Sequence, residues 1–159
     1  IDLCLSSYAF QWAHSLDQLF SELYRVLLPG GMLFFSIPGP KTFNEIKHAW
    51  LDVDNGVHTH DFHCDKTLLT TAFSHGFKAL HFSQCTEVLE YKECIAALQH
   101  IKKIGAHNLD EQRDKNLLGK QRFSKFTQAY KAHSHSTTAY TLSYESYFVG
   151  LRKPLEKSL

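Results

Sequence analysis

A Pro-Gly-Gly turn at residues 29–31 separates an amphipathic helix pattern from the buried-type run MLFFSI. Ahead of the turn, Leu16, Leu19, Phe20, Leu23, Val26 and Leu27 recur at helical spacing, and Ser15 with Gln18 forms a capping-box pattern. Further upstream, Ile1, Leu3 and Leu5 alternate with smaller or polar residues and end at Ser6-Ser7, the pattern of a strand. A strand, a helix, a tight turn and a second strand make a crossover unit whose two strands run parallel. The chain is therefore expected to build an α/β sheet. Ligands in such sheets bind beyond the carboxyl ends of the strands, which directs attention to Ser6–Trp12 and Pro38–Thr42.

Past Gly39-Pro40, Thr42 and Glu45 suggest a second capping box before Phe43, Ile46, Ala49 and Trp50. The His-rich stretch NGVHTHDFHCD reads as a loop. Asp65 is placed to cap a helix carrying Leu68, Leu69, Ala72 and Phe73, which Gly76 closes. FKALHFSQCTEVLEY reads as extended. Helical spacing returns from Glu93 with Ile95, Leu98, Ile101 and Ile104, and again from Lys120 to His133 with Phe123, Phe126 and Tyr130. A last strand is expected from Tyr140. Residues 1–159 are read as a single partial domain, with 93–137 as a helical insertion, or cap, within it.

Composition excludes some roles. Seventeen basic against sixteen acidic residues leave no net field to recruit nucleic acid or an anionic membrane. No apolar run approaches the roughly 20 residues that span a bilayer. Cys4, Cys64, Cys85 and Cys94 are scattered and lack CxxC spacing, which fits reduced thiols in the cytoplasm. His58, His60, His63 and Cys64 are zinc-ligand types, but they are more tightly spaced than four ligands around one ion usually are. A solvated His cluster with no metal is the expectation, and a metal-binding loop is its rival.

The stretch IDLCLSSYAFQW…LFSELYRVLLPGGMLFFSIPGPKTFNEIKHAW resembles the second half of a class I, S-adenosylmethionine-dependent methyltransferase, a Rossmann-like fold. In that fold it matches the fourth strand, its helix, the Pro-Gly-Gly turn and the fifth strand. GPKTFNEIKHAW, HTHDF and IKKIGAHNLDEQRD…LLGKQRFSKFTQAY further resemble the malonyl-acyl-carrier-protein O-methyltransferases of biotin synthesis, with IGAHN the most specific. The resemblance runs from Ile1 to about Lys153.

The resemblance implies methyl transfer from S-adenosylmethionine to the free carboxylate of a malonyl group on its carrier protein. Tyr8 and Gln11 would orient the acceptor, and His107 and Asn108 would line its pocket. Ser6, Ser7 and Trp12 fall on the cofactor side, where Trp12 would also exclude water. Lys102, Lys103, His107, Arg113 and Lys115 would offer an acidic carrier a basic patch. Asp61 stands where the family pattern commonly has Arg, and that reverses the local charge.

The resemblance also implies that the fold's first strands are missing, and with them the glycine-rich turn that seats the cofactor. The chain alone is then expected to lack the main cofactor-binding half. Its opening strand, residues 1–5, would have a bare edge, open to a second copy or to a separate N-terminal half, unless the chain is part of a longer protein. The alternative is a non-catalytic remnant or interaction module of the same fold.

Overall fold

A computed structural model describes residues 1–54, 61–103 and 119–155. The elements in chain order are β1 (Leu3–Ser7), a 3-10 turn (Phe10–Trp12), α1 (Leu16–Val26), β2 (Met32–Pro38), α2 (Asn44–Leu51), α3 (Asp65–Ser74), β3 (Lys78–Tyr91), α4 (Cys94–Lys103), α5 (Lys120–His133) and β4 (Tyr140–Arg152). The strands form one sheet in the order β1-β2-β4-β3. β1 and β2 pair in parallel with Ser7 opposite Ser36, as the crossover pattern predicts. β4 runs antiparallel to β2, with Ser146 opposite Pro38. Among the described residues β1 is an edge strand, and Leu3 and Leu5 on it are exposed.

The chain divides into two compact units. The first comprises Ile1–Pro40, Phe62–Thr86 and Glu145–Leu159. Its core joins Phe20 of α1 and Leu68 and Ala72 of α3 to Leu33, Phe35 and Ile37 of β2 and Val149 and Leu151 of β4. Phe20 sits 6.2 Å from Phe35 and 6.1 Å from Phe77, ring centroid to ring centroid. Burial of each such side chain contributes about 1.5–3 kcal/mol, so the alternate residues of β2 hold the two helices on one face.

Ser15 caps α1 as predicted, its hydroxyl accepting from the Gln18 N–H at 3.3 Å. Gly30 takes a φ of +82° in the turn that follows, a conformation open to glycine at little cost. Lys153 completes this corner. Its ammonium donates to the carbonyls of Tyr24 and Leu27 at 2.8 and 2.9 Å, satisfying groups that the end of α1 leaves unpaired.

The second unit comprises Lys41–Asp61 and Glu87–Tyr144. Here α2 packs on α5, with Trp50 stacked on Phe126 at 4.3 Å. The Tyr130 hydroxyl donates to the Thr141 carbonyl at 2.8 Å, and burial pushes its pKa well above the ordinary phenol value.

Two capping expectations need correction. Thr42 does not cap α2. The N-cap is Phe43 in the left-handed region, and Glu45 turns into the interior, where it is 2 % exposed. There its carboxylate accepts from the Ser143 N–H at 3.2 Å and from the Ser143 hydroxyl, partners that outcompete a cap in the absence of water. Asp65 is likewise not the cap of α3; it is the first helical residue and Cys64 precedes it as N-cap. At that position Asp65 still complements the positive end of the helix.

Candidate active site

β1 ends at Ser7 and the chain reverses at Tyr8, whose φ of +47° is rare for a residue with a side chain. Three bonds hold it there. The Tyr8 N–H donates to the Ser36 carbonyl at 3.0 Å, which extends the β1–β2 ladder by one residue. Gln11 Nε2 donates to the Tyr8 carbonyl at 2.6 Å. The Tyr8 hydroxyl shares a 2.5 Å hydrogen bond with Ser146 Oγ on β4. Phe10, 5.0 Å from the Phe35 ring, anchors the 3-10 turn to the core. Trp12 is 45 % exposed, so core anchoring falls to Phe10 rather than to Trp12.

Two buried oxygens in this region have no hydrogen-bond partner among the described residues: Ser6 Oγ and Gln11 Oε1. Leaving such a group unmade costs about 1–3 kcal/mol, so each is a place for a ligand or water donor. Ser7 Oγ is occupied, accepting from Ser36 Oγ at 3.3 Å. Ser6, Ser7 and Ser36 border a cleft of about 310 Å³ whose walls include Leu5, Phe34 and Phe148. The polar residues of that lining are Ser6, Ser7, Ser36 and His81, which would suit no more than the amino-acid end of an S-adenosylmethionine-like cofactor.

Flanking Ser146 on β4 lie groups that periodicity alone does not reveal. Glu145 is 3 % exposed and packs against Gly39, whose N–H donates to the Glu145 carbonyl at 2.9 Å. The Tyr147 hydroxyl donates to Glu145 Oε2 at 3.4 Å. Burial, followed by the Glu145 charge, pushes the Tyr147 phenol up to about 12. Ser146, Glu145 and Tyr147 come from the last strand, and only its antiparallel register against β2 brings them to the end of the sheet where Tyr8 sits.

The remaining predicted residues divide into those the structure describes and those it does not. His107 and Asn108, with Arg113 and Lys115, lie outside the described residues, as do His58 and His60. Lys102 and Lys103 are exposed in the last turn of α4. Asp61 lies 3.4 Å from the Lys47 ammonium, with 94 % of its side chain exposed. Cys64 Sγ lies 3.2 Å from the Thr67 hydroxyl, a contact that brings the thiol's pKa below its ordinary value. Among the described residues no three His, Cys, Asp or Glu side chains are grouped to hold a metal ion, and no helix is long and apolar enough to cross a membrane.

Residues 1–35 match the family model described as "Methyltransferase domain". The chain is 35% identical over 157 residues to the biotin biosynthesis bifunctional protein BioHC of Teredinibacter turnerae, covering 99% of the chain and 28% of that protein. It is 33% identical over 145 residues to the malonyl-[acyl-carrier protein] O-methyltransferase of Methylococcus capsulatus, covering 91% of the chain and 53% of that enzyme. The chain thus spans between 28% and 53% of the length of these two curated relatives. Among solved structures, a candidate methyltransferase from Bacillus halodurans C-125 superposes with a TM-score of 0.60 at 14% identity, over 97% of the chain and 64% of that structure. The YcgJ protein of Bacillus subtilis gives 0.56 at 10% identity with the same two coverages. At these identities the structural likeness speaks for the fold alone.

Proposed function

Because the chain is a relative of the malonyl-[acyl-carrier protein] O-methyltransferases and has the class I methyltransferase fold, we propose that it forms the acceptor side of such an enzyme. The complete protein would methylate the free carboxylate of malonyl-acyl-carrier protein in biotin synthesis, in the cytoplasm. The observation that carries this reading is the Tyr8–Trp12 loop: a tyrosine at positive φ whose hydroxyl meets Ser146 and whose carbonyl is held by Gln11, at the carboxyl ends of two parallel strands.

When bound, S-adenosylmethionine supplies an electrophilic methyl group on a sulfonium. The protein's own task is to hold the acceptor carboxylate in line and keep water away. Such positioning is worth on the order of 7–11 kcal/mol in the best intramolecular models and needs no protein nucleophile. Tyr8 and Gln11 orient the acceptor in this reading, and His107 and Asn108 line its pocket. Ser6 and Ser7 take the cofactor's amino-acid end, and the exposed Trp12 closes over it. Lys102 and Lys103, with His107, Arg113 and Lys115, meet the acidic face of the carrier. Residues 93–137 act as a cap inserted in one partial domain. The chain alone lacks the main cofactor-binding half.

The exposed edge of β1 favours a second reading, a non-catalytic module that docks through residues 1–5 onto a second copy or a separate N-terminal half. Calorimetric titration with S-adenosylmethionine or its demethylated product separates the two, followed by an assay for methyl ester on malonyl-acyl-carrier protein. We expect no saturable binding at micromolar ligand by the chain alone, and methyl ester once the N-terminal half of the Methylococcus capsulatus relative is added. No ester under either condition would move the assignment to the docking module.

A further inference from the structure

Two hydroxyls share the short bond between Tyr8 and Ser146, and only one of them can donate in it. Burial decides which. Ser146 is 6 % exposed, and the Tyr8 phenol is its only side-chain partner among the described residues. A buried hydroxyl proton that finds no acceptor is costly, so the Ser146 proton belongs on Tyr8 Oη. Tyr8 is 43 % exposed, and its own proton can be taken by solvent or by a ligand.

We propose that Ser146 is a positioning residue: it donates to Tyr8 Oη and thereby turns the phenol's O–H outward, as a donor to a carboxylate oxygen of the acceptor. The identity of that acceptor rests on the methyl-transfer reading above. The backbone of Tyr8 is held at a positive φ by a bond to its N–H and another to its carbonyl, and the Ser146 bond is the contact that fixes where its phenol points. No proton changes hands in this contact. A neutral donor on one carboxylate oxygen leaves the other free, which serves orientation without blocking reaction. The cavity beside Ser6 and Ser7 is a separate feature and plays no part in this contact.

The test compares binding of malonyl-acyl-carrier protein with that of acetyl-acyl-carrier protein, which lacks the carboxylate, to the 159-residue chain. Ser146→Ala and Tyr8→Phe should each weaken the malonyl form about tenfold and leave the acetyl form unchanged, the loss typical of one hydrogen bond to a charged group. Ser146→Thr should restore binding, and the double variant should be no weaker than Tyr8→Phe. Equal losses for both carriers, or additive losses in the double variant, would overturn the proposal. NMR of chain labelled at the tyrosine Cζ carbon tests the tie apart from any ligand: the Tyr8 signal should move in Ser146→Ala and return in Ser146→Thr. An unmoved signal also overturns the proposal. A wild-type chain that binds neither carrier would reject the acceptor assignment, while the NMR result would still decide the Ser146–Tyr8 bond.

Discussion

The backbone N–H of Gly39 donates to the carbonyl of Glu145, and the space a Gly39 side chain would need is filled by the Glu145 carboxylate. This glycine is required by close approach, since Glu145 is buried and its neighbours on β4 are fixed by the ladder with β2. Gly39→Ala should therefore destabilise the chain by about 1–3 kcal/mol, the usual cost of overpacking. Urea denaturation followed by circular dichroism would measure it. A neutral result would mean that the carboxylate can move aside.

Glu45 should behave as a structural acceptor. Glu45→Ala strands the Ser143 N–H and hydroxyl in a buried setting, for a loss of about 1–3 kcal/mol. Glu45→Gln keeps one acceptor oxygen and should cost less. The ranking of the two midpoints in a thermal melt is the check; equal midpoints would show that the charge, and not the missing acceptor, matters.

Alkaline stability follows from the buried phenols. Tyr147 ionises near 12 in the fold, above its ordinary value of 10, because burial and then Glu145 oppose its charge. Tyr130 and Tyr144 are displaced in the same direction, chiefly by burial. A raised folded-state value means that the folded chain holds its proton after the unfolded chain has released it. The contribution is thus intact below pH 10 and is lost as pH rises from 10 to 12. Unfolding free energy measured across that range should fall, and should fall less steeply in Tyr147→Phe.

The edge of β1 can be tested by charge. Leu5 is 69 % exposed on a strand whose outer edge carries no partner among the described residues. If copies associate through β1, Leu5→Lys should return the chain to a monomer in sedimentation while leaving its circular dichroism unchanged, because edge lysines oppose strand addition. Association that persists in the variant would place the contact elsewhere.

The elements built on period were legible from residues alone. Phe123, Phe126 and Tyr130 mark α5 at its observed limits, and the Pro-Gly-Gly turn separates α1 from β2 where expected. Capping patterns were less reliable, as Glu45 shows, because a carboxylate near a helix start can find better partners 98 residues away on β4. A still longer separation, the 138 residues between Tyr8 and Ser146, hides half of the site. Tyr8 and Gln11 stand out as residues past a strand end, whereas Ser146 and Glu145 acquire meaning only through a register that no local spacing encodes. The left-handed turn at Tyr8 was equally silent, since tyrosine carries none of the usual turn chemistry.

The antiparallel neighbour of β2 is β4, more than a hundred residues further along, and Lys153 just beyond it secures the end of α1. During synthesis the β1–α1–β2 unit therefore waits, with one side of β2 unpaired, until the residues that close it leave the ribosome. At about 5–20 residues per second that interval is on the order of ten seconds, far longer than helices and hairpins need to form. For that period the nascent chain exposes an open sheet edge, a row of unpaired backbone groups of the kind that invites pairing with another chain.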